Sequence, residues 1–210
     1  MKLYHSPASP NARRVRIFIA EKGIDVPLQV VNLGQKEQFS DWFRAINPRL
    51  QVPALVLDDG RAIAEVPAIW RYLEAAHPKH PLLGTDAAEQ GIIAMWERRA
   101  ELDGFAPTME GVRNAVAGLK GRALSGPHNY EQIPELVERS KLRVANFYAD
   151  FNTRLESVPF VAGEAFSAAD ITTLVTVDFA TNALKLPIPA DAAALHRWYR
   201  SVSDRPSAQT

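Results

Sequence analysis

The chain has 210 residues, enough to bury a substantial core as one large domain or two small ones. Apolar residues make up 47% and charged residues 23%, and 24 basic side chains balance 24 acidic ones; this is ordinary globular composition, with neither a nucleic-acid footprint nor a membrane-surface field. There is no cysteine, which excludes disulfides, thiolate metal sites and a cysteine nucleophile, and fits a reducing compartment.

The N-terminus, Met1 through Pro7, has no apolar leader region, and no run approaches ~18 apolar residues, so a cytoplasmic protein is expected. A short strand centred on Leu3-Tyr4 leads straight into Ser6-Pro7-Ala8-Ser9-Pro10-Asn11 and a helix containing Val15, Ile17, Phe18 and Ile19, which Gly23 stops. Residues 27–31 read as a buried strand, and residues 39–45 as a short irregular helix. Residues 52–57, the turn Asp58-Asp59-Gly60 and residues 61–63 form a hairpin; Pro67 sits in the first turn of a helix running to Ala76. The order is β-α-β-(α)-β-β-α over residues 1–76. A proline-rich linker follows at 77–85, and an all-helical part occupies 86–210.

In that second part, residues 91–117 and 131–155 carry helical spacing, residues 118–129 are loop-like, and 192–202 form a closing helix. Residues 168–184 are apolar on most faces, which predicts a buried central helix. Ser167-Ala168-Ala169-Asp170 has the form of a capping box, with Phe166 and Ile171 placed as its hydrophobic staple; Asp170 is expected to serve this cap and the bundle rather than catalysis. The basic side chains Arg13, Arg14 and Arg16 span one turn and are expected at solvent or a domain interface. His5, His77, His80, His128 and His196 show no ligand spacing, so no metal is expected.

The Ser6–Asn11 turn carries the most chemistry. It sets small hydroxyls and open backbone N–H groups at the positive end of a helix, where a thiolate would be stabilised. Two serines three apart stand where a redox enzyme of similar layout has Cys-x-x-Cys. Hydroxyls cannot exchange disulfides, so such a site binds a thiolate instead of being one. From the residues alone, Ser9 reads most simply as an N-cap.

Several segments in order make the chain resemble the soluble glutathione transferases. They are Ser6 through Arg16; Ala20-Glu21-Lys22-Gly23; Asn47-Pro48 with Val52-Pro53-Ala54-Leu55; Ala64-Glu65 before Ala68-Ile69; Tyr72-Leu73-Glu74; and Val161-Ala162-Gly163 with Phe166 through Ile171. Residues 95–102 and 186–206 are closest to a bacterial and fungal subgroup similar to the second yeast glutathione transferase. The resemblance implies a thioredoxin-like α/β domain followed by an all-α bundle, forming a cytoplasmic homodimer with a detoxifying role. Its substrates would be glutathione and a small electrophile.

Residue by residue, the resemblance implies that Ser9 stabilises the thiolate, because it lies five positions before Arg14-Val15; Ser6 and Asn11 are alternative donors. Lowering a thiol pKa of ~8.5 by ~2 units needs about 2.7 kcal/mol, within reach of one charge-assisted hydrogen bond (~1.5–3 kcal/mol) plus a helix end (~0.3–1 kcal/mol). Val52-Pro53 would be a cis pair that turns the Val52 backbone to the cysteinyl unit; Gln51 precedes it, and Gln38 would reach the glycine carboxylate unless it is a solvated loop amide. Glu65 would face the γ-glutamyl ammonium. Val66, where most members have Ser or Thr, and Pro67, which lacks an N–H, weaken the γ-glutamyl carboxylate contact by ~1.5–3 kcal/mol. Phe105, Met109 and Arg113, four apart, would line the second-substrate pocket between the domains as an apolar wall with a cationic end; the same spacing also suits core packing. The subgroup's glycine is replaced here by Ser9, which implies direct serine assistance rather than a held water. The alternatives are a non-catalytic glutathione-transferase-like binding module, or a glutathione-dependent isomerase, dehalogenase or peroxidase.

Overall fold

The first strand, β1 (Lys2–His5), alternates buried Leu3 and His5 with half-buried Tyr4, and so has a core on both sides. It is followed by α1 (Pro10–Glu21), β2 (Leu28–Val30), a 3₁₀ turn (Glu37–Phe39), α2 (Asp41–Ile46), β3 (Ala54–Val56), β4 (Ala62–Ala64) and α3 (Val66–Ala76). The sheet order is β2-β1-β3-β4, with β1 and β2 parallel and the other pairs antiparallel. The computed structural model describes all 210 residues, and these elements belong to a compact unit of Met1–Pro81, Ser125–His128 and Thr210.

Helices α1 and α3 pack together, with the Phe18 and Trp70 rings stacked at 5.4 Å. A separate cluster of Val31, Phe43 and Val52 takes in Tyr4, Leu33 and Ile46. Gly23, at φ +61, ends α1: its N–H bonds the Ala20 carbonyl while the Ile24 N–H bonds that of Ile19, the paired bonds of a Schellman motif. The buried Lys22 ammonium joins this end to α3 through Glu74 at 2.6 Å and to the His80 carbonyl at 3.1 Å.

Two expectations are corrected here. The 27–31 strand is not buried throughout: it is the short edge strand β2, whose Leu28 and Val30 are 51% and 48% exposed, and only Val31, just past its end, is enclosed. Arg14 is not solvated. It is wholly buried, with its guanidinium 5.1 Å from the centre of the Trp70 ring and Nη1 donating to Asn11 Oδ1.

The second unit comprises Leu82–Leu124 and Asn129–Gln209. Its elements are α4 (Ala87–Arg99), a π-helical turn (Ala100–Phe105), α5 (Ala106–Ala115), a 3₁₀ turn (Ala117–Leu119), α6 (Glu135–Glu156), α7 (Ala168–Phe179), a π turn (Ala180–Leu184), α8 (Ala193–Ser203) and a 3₁₀ turn (Pro206–Gln209). The expected 91–117 helix is thus a helix with a π insertion. Pro107 has no N–H to give, and just before it the Ala106 N–H reaches back five residues to Glu101. A Cβ on Gly104 would lie 2.7 Å from the Phe147 ring, so a glycine is what lets α6 approach this backbone. The helix expected from residue 131 starts at Glu135. No helix is long and apolar enough to cross a membrane.

Every residue of α7 from Ala168 to Val177 is buried, as its apolar faces demand. The capping box forms, and Asp170 exceeds its capping role. Its carboxylate accepts from the N–H of Ser167 at 2.9 Å, the N–H of Val161 at 2.9 Å, the Ser167 hydroxyl at 3.1 Å and the Trp198 indole at 2.8 Å. One buried carboxyl therefore joins α7, the 157–167 connection and α8. Burial pushes it up to about 6, against the hydrogen bonds that favour the charged form.

Replacing Asp170 with alanine strands these buried donors, and a loss of at least ~3 kcal/mol is expected in urea denaturation at neutral pH. Since the folded-state value exceeds the ordinary one, the group favours folding most below its ordinary value of 3.8. That contribution declines as pH rises to about 6; a wild-type minus Asp170→Ala stability difference that falls across this window checks the sign.

Candidate active site

The sheet register assembles the site. Tyr4 pairs with Ala54, and Ala54 with Ala64. The chain leaving β1 at His5-Ser6, the chain entering β3 at Val52-Pro53 and the chain leaving β4 at Glu65 therefore emerge at one edge of the sheet. Segments 6–9, 52–53 and 65–66, distant in sequence, become neighbours by strand pairing.

At the first of these, Ser9 is the N-cap of α1: its Oγ accepts the Ala12 N–H at 3.2 Å, and its own N–H bonds the Ser6 carbonyl at 3.1 Å. The side chain is nearly enclosed, at 8% exposure. With the cap made through an oxygen lone pair, the Ser9 hydroxyl proton is free to be donated elsewhere. Pro10 has no N–H, and the Asn11 N–H has no partner within the chain, as expected for a first helical turn. Of the alternative donors, Asn11 accepts from Arg14 Nη1 through its Oδ1, and Ser6 is 3% exposed with its carbonyl accepting from Ser9 and from Arg16 Nη1 at 3.3 Å. Arg16 Nη1 also lies 3.3 Å from His5 Nδ1. Burial first, and the Arg16 charge second, lower the His5 pKa and keep the ring neutral.

At the second segment the Val52–Pro53 bond is cis, as expected. Neither the N–H nor the C=O of Val52 is used within the chain. Gln51 is held on both sides: Asn47 Nδ2 donates to its carbonyl at 2.8 Å, and its own Nε2 donates to Ser125 Oγ at 2.7 Å. At the third, Glu65 is exposed and adopts φ +71, ψ 126, a region costly for a residue with a side chain (~1–3 kcal/mol). Its side chain makes no cap bond, while its carbonyl takes the N–H groups of Ala68 and Ile69, leaving the Val66 N–H open at the α3 N-terminus. The Val66 side chain is 4% exposed and spent on the core.

Gln38 is not a solvated amide. It is 4% exposed, and its Oε1 has no partner. A carboxylate needs the amide N–H groups instead, and rotating the amide by half a turn exchanges the two ends.

In the second unit, Phe105 closes the π turn at 4% exposure, with its ring 6.3 Å from that of Phe179; this is core packing rather than an open wall. Met109 and Arg113 lie on α5, and the Arg113 guanidinium donates to the carbonyls of Arg122 and Ala123, so the expected cationic end braces the following loop. No cluster of three or more His, Asp or Glu side chains offers a metal site. Sequence reasoning missed Asn47 and Ser125. Asn47-Pro48 entered only as a segment of the family resemblance, and nothing in residues 118–129 indicated contact with Gln51.

The family model described as Glutathione S-transferase, N-terminal domain matches residues 3–81, and that for the C-terminal domain matches residues 134–201. The chain belongs to the glutathione S-transferase family. Glutathione S-transferase 2 of Saccharomyces cerevisiae is 38% identical over 210 residues, covering 99% of this chain and 87% of the yeast protein. The crystal structure of yeast Gtt2 superposes with a TM-score of 0.90 at 36% identity, covering 100% and 99% of the two chains. A glutathione S-transferase of class Gtt2 from Vibrio parahaemolyticus gives 0.85 at 31%, covering 100% and 96%. Maleylacetoacetate isomerase of Pseudomonas aeruginosa is 40% identical over 103 residues, 45% of this chain and 48% of that protein. The thioredoxin-like domain and helical domain of a glutathione transferase are thus the fold of this chain.

The cap and the free proton of Ser9 are separable. Ser9→Ala is expected to cost ~1 kcal/mol of stability through the lost cap, and Ser9→Gly only a few tenths, as measured by denaturant unfolding of the transferase and both variants.

Proposed function

We propose that this transferase binds glutathione along the edge formed by Ser9, Val52 and Glu65 and adds its sulfur to an electrophilic, fairly apolar small molecule. The observation that carries this reading is the Ser9 hydroxyl: it caps α1 with its oxygen and keeps its proton for a neighbouring anion. The unused peptide edge of Val52 suits strand-like pairing with the cysteinyl residue of glutathione. The exposed Glu65 carboxylate suits the γ-glutamyl ammonium, and the Val66 N–H the γ-glutamyl carboxylate; Gln51 adjoins Val52, and Gln38 is proposed for the glycine carboxylate.

In this mechanism the thiol proton leaves to water. Ser9 and the α1 N-terminus stabilise the remaining charge, and the thiolate forms a carbon–sulfur bond as the electrophile's leaving group departs or its electron pair takes a proton from water. Stabilisation of the anion and proximity supply the rate, and no enzyme base is needed. The protein is also proposed to act in the cytoplasm as a homodimer. The exposed stripe Ile92, Met95 and Leu102 on α4 and the π turn supports the dimer.

The similarity of about half of the chain to maleylacetoacetate isomerase supports a second reading, in which glutathione adds to the substrate and leaves again. Product analysis separates the two: free glutathione is consumed in conjugation and conserved in isomerisation.

The thiolate ultraviolet absorbance of bound glutathione, followed against pH, tests the assignment of Ser9. In both Ser9→Ala and Ser9→Gly the bound thiol pKa should rise by ~1–2 units, although their stabilities differ. An unchanged titration would remove Ser9 from the mechanism. Val66→Thr keeps the buried shape while adding a hydroxyl. It should tighten glutathione binding by about tenfold in calorimetric titration; no gain would mean that the open N–H already suffices.

A further inference from the structure

The Gln51–Val52 peptide of the proposed glutathione site is held by Asn47, close by in sequence, and by Ser125, far along the chain. The Gln51 carbonyl and the Val52 N–H lie on opposite sides of one planar amide, so whatever fixes the first aims the second. Asn47 Nδ2 fixes the carbonyl at 2.8 Å. Asn47 is itself 4% exposed and locked: its Oδ1 takes the Arg49 N–H, its carbonyl the Leu50 N–H, and its own N–H bonds Phe43.

That leaves the swing of residue 51 about its own Cα, and here Ser125 acts. It lies 74 positions later in the chain, yet the segment Ser125–His128 folds with the first unit. Its Oγ accepts the Gln51 Nε2 proton at 2.7 Å. The adjoining Gly126 holds φ +119, which favours glycine, and a Cβ there would lie 3.6 Å from both the Arg49 carbonyl and Gln51 Nε2. The turn therefore rests directly on the 49–51 loop.

We propose that Ser125 is a positioning residue for glutathione: by holding the Gln51 side chain, it fixes the direction of the Val52 N–H without touching the ligand. This rests on the reading that Val52 pairs with the cysteinyl unit. Ser9, which faces the sulfur in that reading, is outside this network, so the effect should fall on binding and not on the chemical step.

The experiment compares wild type, Ser125→Ala and Ser125→Thr. Ser125 is exposed, so truncation should leave the fold and melting temperature intact. Glutathione affinity is measured by calorimetry, and KM and kcat with 1-chloro-2,4-dinitrobenzene. Ser125→Ala is expected to raise Kd and KM for glutathione about three- to tenfold, with kcat at saturating glutathione changed by less than about twofold. Ser125→Thr, which keeps the hydroxyl, should restore wild-type values. In the ligand-free protein, the ¹⁵N order parameter of Val52 should fall in Ser125→Ala and recover in Ser125→Thr. Unchanged affinity in Ser125→Ala overturns the proposal, as does an affinity loss with no change at Val52, which would indicate direct contact. Failure of the wild type to bind millimolar glutathione instead overturns the functional reading itself, while the Val52 order parameter still reports whether Ser125 restrains that peptide.

Discussion

Everything chemical in the first unit depends on one geometric fact, the antiparallel pairing of β3 with both β1 and β4. The row Tyr4–Ala54–Ala64 fixes where three loops leave the sheet, and each loop brings a different capability: a capped helix end with a spare hydroxyl proton, an unused peptide edge, and an exposed carboxylate beside a second helix end. A one-residue slip of β3 would turn Leu55 out of the core and separate these groups at the same time. Core packing and site assembly are thus enforced by the same hydrogen bonds.

The two helix N-termini of this edge are used differently. Ser9 closes one N–H of α1 through its own oxygen, so that helix is satisfied while still offering a donor. Glu65 gives α3 no side-chain cap and sits at positive φ, so the α3 terminus keeps an open N–H in a backbone shape that the fold must enforce. Strained, uncapped backbone is tolerated where the neighbouring structure over-determines it, and such positions gather at binding sites. In the helical unit the contrast runs the other way: Asp170 meets several donors with one buried carboxylate and leaves nothing open, which marks it as architecture.

Much of this was legible in residue order. The strand–helix succession, the Gly23 stop, the hairpin turn and the Ser167–Asp170 capping box are local signals whose physics acts within a few residues. The errors share one cause. An apolar run at 27–31 does not reveal which strand ends up at the sheet edge, and an arginine at position 14 does not reveal that Trp70 will lie beneath it. Likewise the spacing of Phe105, Met109 and Arg113 does not reveal that Phe179 and the carbonyls of residues 122 and 123 take two of the three.

By itself the sequence determined the element order, the helix stops and caps, the absence of a cysteine nucleophile and the family, because each follows from local conformational preference, composition or motif spacing. Only the tertiary structure decided that Gln38 is enclosed, that Val66 is spent on the core, and that Gln51 is held between Asn47 and Ser125. Those outcomes depend on hydrogen bonds and packing between residues far apart in the chain. The partners are brought together by strand register and loop closure, and no local pattern encodes them.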